Sequence, residues 1–81
     1  MITAGTFIKP IGGKFKKMDF TRDDGIHAVY DFKNIEIHAA YDKFSDDLFV
    51  EMCGSKLGFK WFNNVSKNID QTKRDVENFI L

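Results

Sequence analysis

The chain holds a single cysteine, Cys53, so no internal disulfide can staple it and its fold does not depend on oxidation. A reducing, cytoplasmic setting is the expectation. No apolar run approaches the length that crosses a bilayer. The stretch from Met1 to Gly13 has neither the early positive charge nor the apolar core of a signal peptide, so no membrane partner is expected. Internal repeats and low-complexity segments are absent. Net charge is zero, which removes the overall basic excess that marks most nucleic-acid binders. The one proline, Pro10, supplies a single fixed break near the start.

Aromatic surface, by contrast, is plentiful. Nine Phe, two Tyr and one Trp stand among 81 residues, 43% of which are hydrophobic. One domain spanning 1–81 is the expectation, burying roughly 60% of its unfolded surface. The aromatics exceed what so small a core needs, and the surplus points to a sticky outer surface. The charges that cancel overall are segregated along the chain. Residues 1–18 carry Lys9, Lys14, Lys16 and Lys17 and no acid; residues 19–51 carry nine acids against three bases; residues 52–81 are mildly basic. A bipolar domain of this kind steers charged partners over distance.

Between Ile26 and Met52 apolar and polar residues alternate through three segments in one register. Ile26, Ala28, Tyr30 and Phe32 fall on one face, followed by Ile35, Ile37, Ala39 and Tyr41, then Leu48, Val50 and Met52. The opposite face collects His27, Val29, Asp31, Glu36, His38, Ala40, Asp42, Phe49, Glu51 and Cys53. A period of two is that of strands with one face buried. A turn at Lys33-Asn34 pairs Phe32 with Ile35, Tyr30 with Ile37, Ala28 with Ala39 and Ile26 with Tyr41. A loop over Phe44–Asp47 then pairs Lys43 with Leu48, Tyr41 with Val50 and Ala39 with Met52. The glycines Gly54 and Gly58 bracket a turn into a last strand, Phe59–Val65. Upstream, Thr3–Lys9 reads as a strand ended by Pro10-Ile11-Gly12-Gly13, with Lys14–Thr21 returning as a second and Asp23-Asp24-Gly25 as a turn.

The tail changes period. Ile69, Val76, Phe79 and Ile80 lie on one side of an amphipathic helix, with Ser66 or Asn68 as its cap and Gln71 completing a capping box with Asn68. The expected fold is α+β: an antiparallel meander of four to five strands with this C-terminal helix packed on its apolar face.

Three chemistries compete for the second face. That pairing sets His38 opposite Cys53, which suggests a thiolate–imidazolium pair or a metal site, but a lone strand cysteine ordinarily behaves as a small apolar residue. The glycine segments lack a nucleotide-loop pattern and read as turns, so no cofactor is expected. Basic residues interleaved with rings, Lys14, Phe15, Lys16 and Lys17 together with Trp61, form the pattern that holds single-stranded nucleic acid. The leading reading is a non-enzymatic module, an inhibitor or accessory factor, that binds a larger protein with a basic groove. Phe49 and Trp61 are its anchors and Glu36, Asp42, Asp47 and Glu51 its steering charges. A homodimer through Phe59-Lys60-Trp61-Phe62 is the further partner option.

Overall fold

The structure, a computed structural model, describes residues 2–13, 18–23, 26–32 and 34–81; the side chains of residues 12, 13, 18–23 and 32 lie outside that description. Five strands form one antiparallel sheet in sequence order: Met18–Asp23 (β1), His27–Phe32 (β2), Ile35–Asp42 (β3), Asp47–Gly54 (β4) and Gly58–Phe62 (β5). Four of them, β2–β5, have described side chains and build the two faces. A helix, Ile69–Ile80 (α1), follows a 3-10 turn at Val65–Lys67. The α+β meander with its C-terminal helix is therefore the fold.

The alternation does what a period of two requires. Ala28, Tyr30, Ile37, Ala39, Leu48, Val50 and Met52 are buried together, while their strand neighbours face out. The β2–β3 register is the expected one, with Phe32 opposite Ile35, Tyr30 opposite Ile37 and Ala28 opposite Ala39. The amide of Tyr41 also donates to Ile26 O at 2.8 Å.

The β3–β4 register differs from the expected one by two positions: Tyr41 meets Leu48, Ala39 meets Val50 and Ile37 meets Met52. A shift of two keeps every side chain on its face, so apolar matching alone does not distinguish the two pairings. The turn decides. Asp46 adopts a left-handed conformation at φ 60, which aspartate tolerates better than most residues. That lets Asp42 and Asp47 close directly onto each other. At the other end of β4, Gly54 sits at φ +119, and a Cβ there would lie 2.0 Å from Asn34 O. Only glycine fits that approach.

The N-terminal segment is not the expected strand. It forms successive turns running into a 3-10 helix, Lys9–Gly13. Thr6 N donates to Thr3 O, Lys9 N to Gly5 O and Ile11 N to Ile8 O. Ala4, Phe7, Ile8 and Ile11 are all buried, and their spacing of three, one and three is a helical stripe rather than a strand's. Pro10 lies in the first turn of that helix, where no N–H is required. Of the expected return strand, Lys14–Lys17 lie outside the described residues and Met18–Asp23 is β1. The Asp24-Gly25 part of the expected turn also lies outside them.

Two elements thus close the inner face. The N-terminal turns supply Phe7 and Ile8, and α1 supplies Val76 and Ile80, to one continuous core. Phe79 packs edge-on against Phe62 with ring centroids 6.3 Å apart. On the helix, Thr72 is buried on the apolar stripe, whereas Ile69, expected to be buried there, is exposed. The expected capping box does not form: Asn68 Nδ2 donates to Asn64 O, and Gln71 Nε2 donates to Asp75. The C-terminal end is tied instead by Lys56, whose Nζ donates to the carbonyls of Ile80 and Leu81 at 2.9 and 2.8 Å. A cation at that end also suits the helix dipole. The last strand ends at Phe62 rather than Val65.

Candidate functional site

The outer face of β3, β4 and β5 gathers the partner residues expected from the sequence. On β4, Asp47, Phe49, Glu51 and Cys53 point outward; on β3, Glu36, His38, Ala40 and Asp42 do. The β4–β5 pairing places Trp61 opposite Phe49 and Phe59 opposite Glu51. Phe49 therefore lies between two rings, 4.9 Å from Trp61 and 5.9 Å from Phe59 by centroid, both tilted. Such spacing is that of attractive aromatic pairs. The cluster stays open to water, with Phe59 66% and Trp61 57% exposed.

Carboxylates share this face, with Glu51 opposite Phe59. Asp31, Glu36, Asp42, Asp47 and Glu51 all stand on this face, and its outward positions on β2–β5 contain no lysine or arginine. Asp42 accepts from the amide of Phe44 at 2.9 Å, which holds its carboxyl below the ordinary range and keeps it charged. Glu36 hydrogen-bonds His38 Nε2.

The suggested cysteine–histidine pair is not assembled. Because β3 and β4 pair two positions away from the expected register, His38 faces Glu51 and Cys53 faces Glu36. Burial, followed by the negative charge of Glu51, pushes the Cys53 thiol up, away from the thiolate a nucleophile needs. No group of three or more His, Cys, Asp or Glu side chains among the described residues converges to hold a metal.

The nucleic-acid set is not brought to one place in the described structure. Lys14, Phe15, Lys16 and Lys17 lie outside the described residues, and Trp61 stands among carboxylates. Phe62, grouped with the exposed rings by sequence, is buried in the core.

Two features escaped sequence reasoning. The first is a clasp centred on Asp46. Its carboxylate accepts from Tyr41 Oη at 2.7 Å and from Ser66 Oγ at 2.7 Å, while Val65 N donates to its carbonyl. This ties the β3–β4 turn to the segment leading into α1 across a span of twenty residues, a pairing no local pattern encodes. The second is a concavity where the outer face meets that same turn, lined by Ile26, Tyr41, Phe44 and Trp61 with Asp42 and Asp47. The isolated apolar Phe44 in a polar turn is the only hint of it in the sequence. No helix among the described residues is long and apolar enough to cross a membrane. Compared with models of known protein families, with curated proteins and with solved structures, the chain has no match.

Proposed function

We propose that this protein is a non-enzymatic binding module that docks the outer face of β3–β5 onto a basic surface of a larger protein. The observation that supports it is the coincidence of a ring cluster, half-buried Phe49 packed against the exposed Phe59 and Trp61, with a face whose charges are carboxylates. Rings desolvated at the centre of a contact supply most of its energy, and a charged surround accelerates capture and selects the sign of the partner. Phe49 and Trp61 are the anchors in this reading; Glu36, Asp42, Asp47 and Glu51 steer. Blocking a basic groove is the simplest activity such a face performs. The reading assumes a reducing, cytoplasmic setting, in which Cys53 remains a thiol.

The exposed rings also favour a second reading, a stacking platform for single-stranded nucleic acid. Phosphates approaching these rings would meet Glu51 and Asp47, so the charge opposes it. Homodimerisation along β5, the edge strand of the sheet, is opposed by Lys60, which is exposed midway along that edge. Charges of this kind discourage edge-to-edge pairing.

The test is affinity capture from nuclease-treated native extract, comparing the wild type with Trp61→Ala and with Glu36→Lys/Glu51→Lys. The expected result is a protein partner retained by the wild type and lost with both variants. Capture that disappears on nuclease treatment, or that ignores both variants, contradicts the proposal.

A further inference from the structure

At the end of the sheet the outer face turns into a concavity of about 990 Å³. Its walls are apolar and open: Phe44 is 91% exposed and Ile26 60%, with Trp61 beside them. Its polar lining includes Lys43, Ser45 and Thr3, and above all Asp42 and Asp47, which stand directly opposite each other where β3 and β4 close. Opposed residues of an antiparallel pair have Cβ atoms about 5 Å apart, and like charges placed so destabilise the ladder. Asp42 is partly accommodated by the turn amides of Phe44 and Ser45.

We infer that this concavity seats an arginine of the partner, flanked by an apolar residue. The inference rests on the docking-face reading and names the chemistry that one end of the face takes. Two carboxylates side by side call for a single cation with more than one donor. A guanidinium offers a planar fork of N–H groups, whereas an ammonium is a compact point charge. The same plane stacks on an exposed ring, and tryptophan is the best of the rings for that contact. The groove already holds one cation–ring contact, Lys43 Nζ lying 5.4 Å from the Phe44 centroid. That lysine occupies Phe44 and leaves Trp61 as the ring for the incoming guanidinium. The apolar walls made by Ile26 and Phe44 take the neighbouring side chain.

Trp61 is the only tryptophan, so its fluorescence reads the site directly. The probes are three peptides, acetyl-Ala-Ile-Arg-Phe-Ala-amide and its citrulline and lysine counterparts, titrated into the full chain. Citrulline keeps the shape of arginine and lacks its charge. The arginine peptide is expected to shift Trp61 emission saturably. The citrulline peptide should bind about tenfold more weakly and the lysine peptide about threefold more weakly. Asp47→Asn should weaken the arginine peptide about fivefold and leave the citrulline peptide unchanged. It also removes the opposed charges, so its thermal midpoint should equal or exceed that of the wild type. Phe44→Ser, at a position too exposed to matter for folding, should weaken all three peptides. Equal binding of the arginine and citrulline peptides, indifference to Asp47→Asn, or displacement of the arginine peptide by oligothymidylate would overturn the inference. Glu36→Lys/Glu51→Lys, which spares Asp42 and Asp47, should change peptide affinity by no more than about twofold. If the arginine peptide fails to bind while capture of a protein partner still depends on Glu36 and Glu51, this inference alone falls and the docking reading stands.

Discussion

Strands β3 and β4 present two faces built from alternate residues of the same segments, and the two are held by different physics. Inward, Ile37, Leu48 and Val50 are wholly buried between the N-terminal turns and α1. Their shapes are constrained by close packing, because an interior tolerates neither a void nor an extra methylene. Outward, among the described residues, Phe49 meets Phe59 and Trp61 and Glu36 meets His38, all on the same sheet face. The fold demands polarity there to keep the sheet soluble and does not demand rings. Aromatics on the inner face are explained by folding; the exposed Phe59 and Trp61, packed against half-buried Phe49, are not. That contrast supports a binding role more directly than any single residue does.

The sharpest way to break the comparison is to truncate both faces of one strand. Leu48→Ala is expected to cost about 2–5 kcal/mol of stability, as large-to-small changes in packed cores do. Phe49→Ala, one residue away, should cost only about 1 kcal/mol, the worth of its ring contacts. Urea unfolding compares the two, and equal losses would mean that the outer rings serve folding after all. Next in size is Gly54→Ala, at about 2 kcal/mol, because the added Cβ meets Asn34 O in a backbone conformation that L-residues avoid. Amide exchange should show that loss concentrated at the β3–β4 end bearing Asn34 and Gly54.

The clasp between the β3–β4 turn and the segment leading into α1 gives a pH signature. The Tyr41 hydroxyl, and then Ser66, hold the Asp46 carboxyl below its ordinary value of 3.8. The same hydrogen bond pushes Tyr41 from 10.0 up to about 12. For a depressed carboxylate, the stabilisation is present above the unfolded value and is lost as pH falls below it. For a raised phenol, it is present below 10.0 and is lost as pH rises toward 12. Chemical unfolding across pH should therefore show Asp46→Asn flattening the acid limb and Tyr41→Phe flattening the alkaline one. The smallest expected change in stability is that of Glu36→Lys/Glu51→Lys, within about 0.5 kcal/mol per site by thermal unfolding. A large loss there would mean that the acids hold the sheet rather than a partner.

Much of this architecture was legible because period-two alternation is set by local chemistry. Residues from Ala28 to Met52 revealed their faces, and the tail from Ile69 to Ile80 revealed its helix. What stayed hidden depended on geometry that alternation does not carry. A two-residue shift of β4 leaves every face intact, so the pairing awaited the left-handed Asp46. The N-terminal stripe of Ala4, Phe7, Ile8 and Ile11 was present in the sequence, but Pro10 and the glycines after it read more readily as the end of a strand. Of the candidate site, alternation placed Glu36, Asp42, Phe49 and Glu51 on one face, while Asp47 read as part of the bordering loop and Trp61 as an aromatic on a strand of unfixed register; the pairing of β3, β4 and β5 puts all six on one surface. Phe59 joined the ring cluster only once the β4–β5 register was known, and the Asp46 clasp required contacts twenty residues apart.

Electrostatic capture by the outer face is tested most directly by its association rate with the captured protein, measured by stopped-flow across ionic strength. The wild type should associate faster at low salt and lose that advantage as salt rises, while Glu36→Lys/Glu51→Lys should associate slowly with little salt dependence. Identical rates and identical salt slopes for the two proteins would contradict the account.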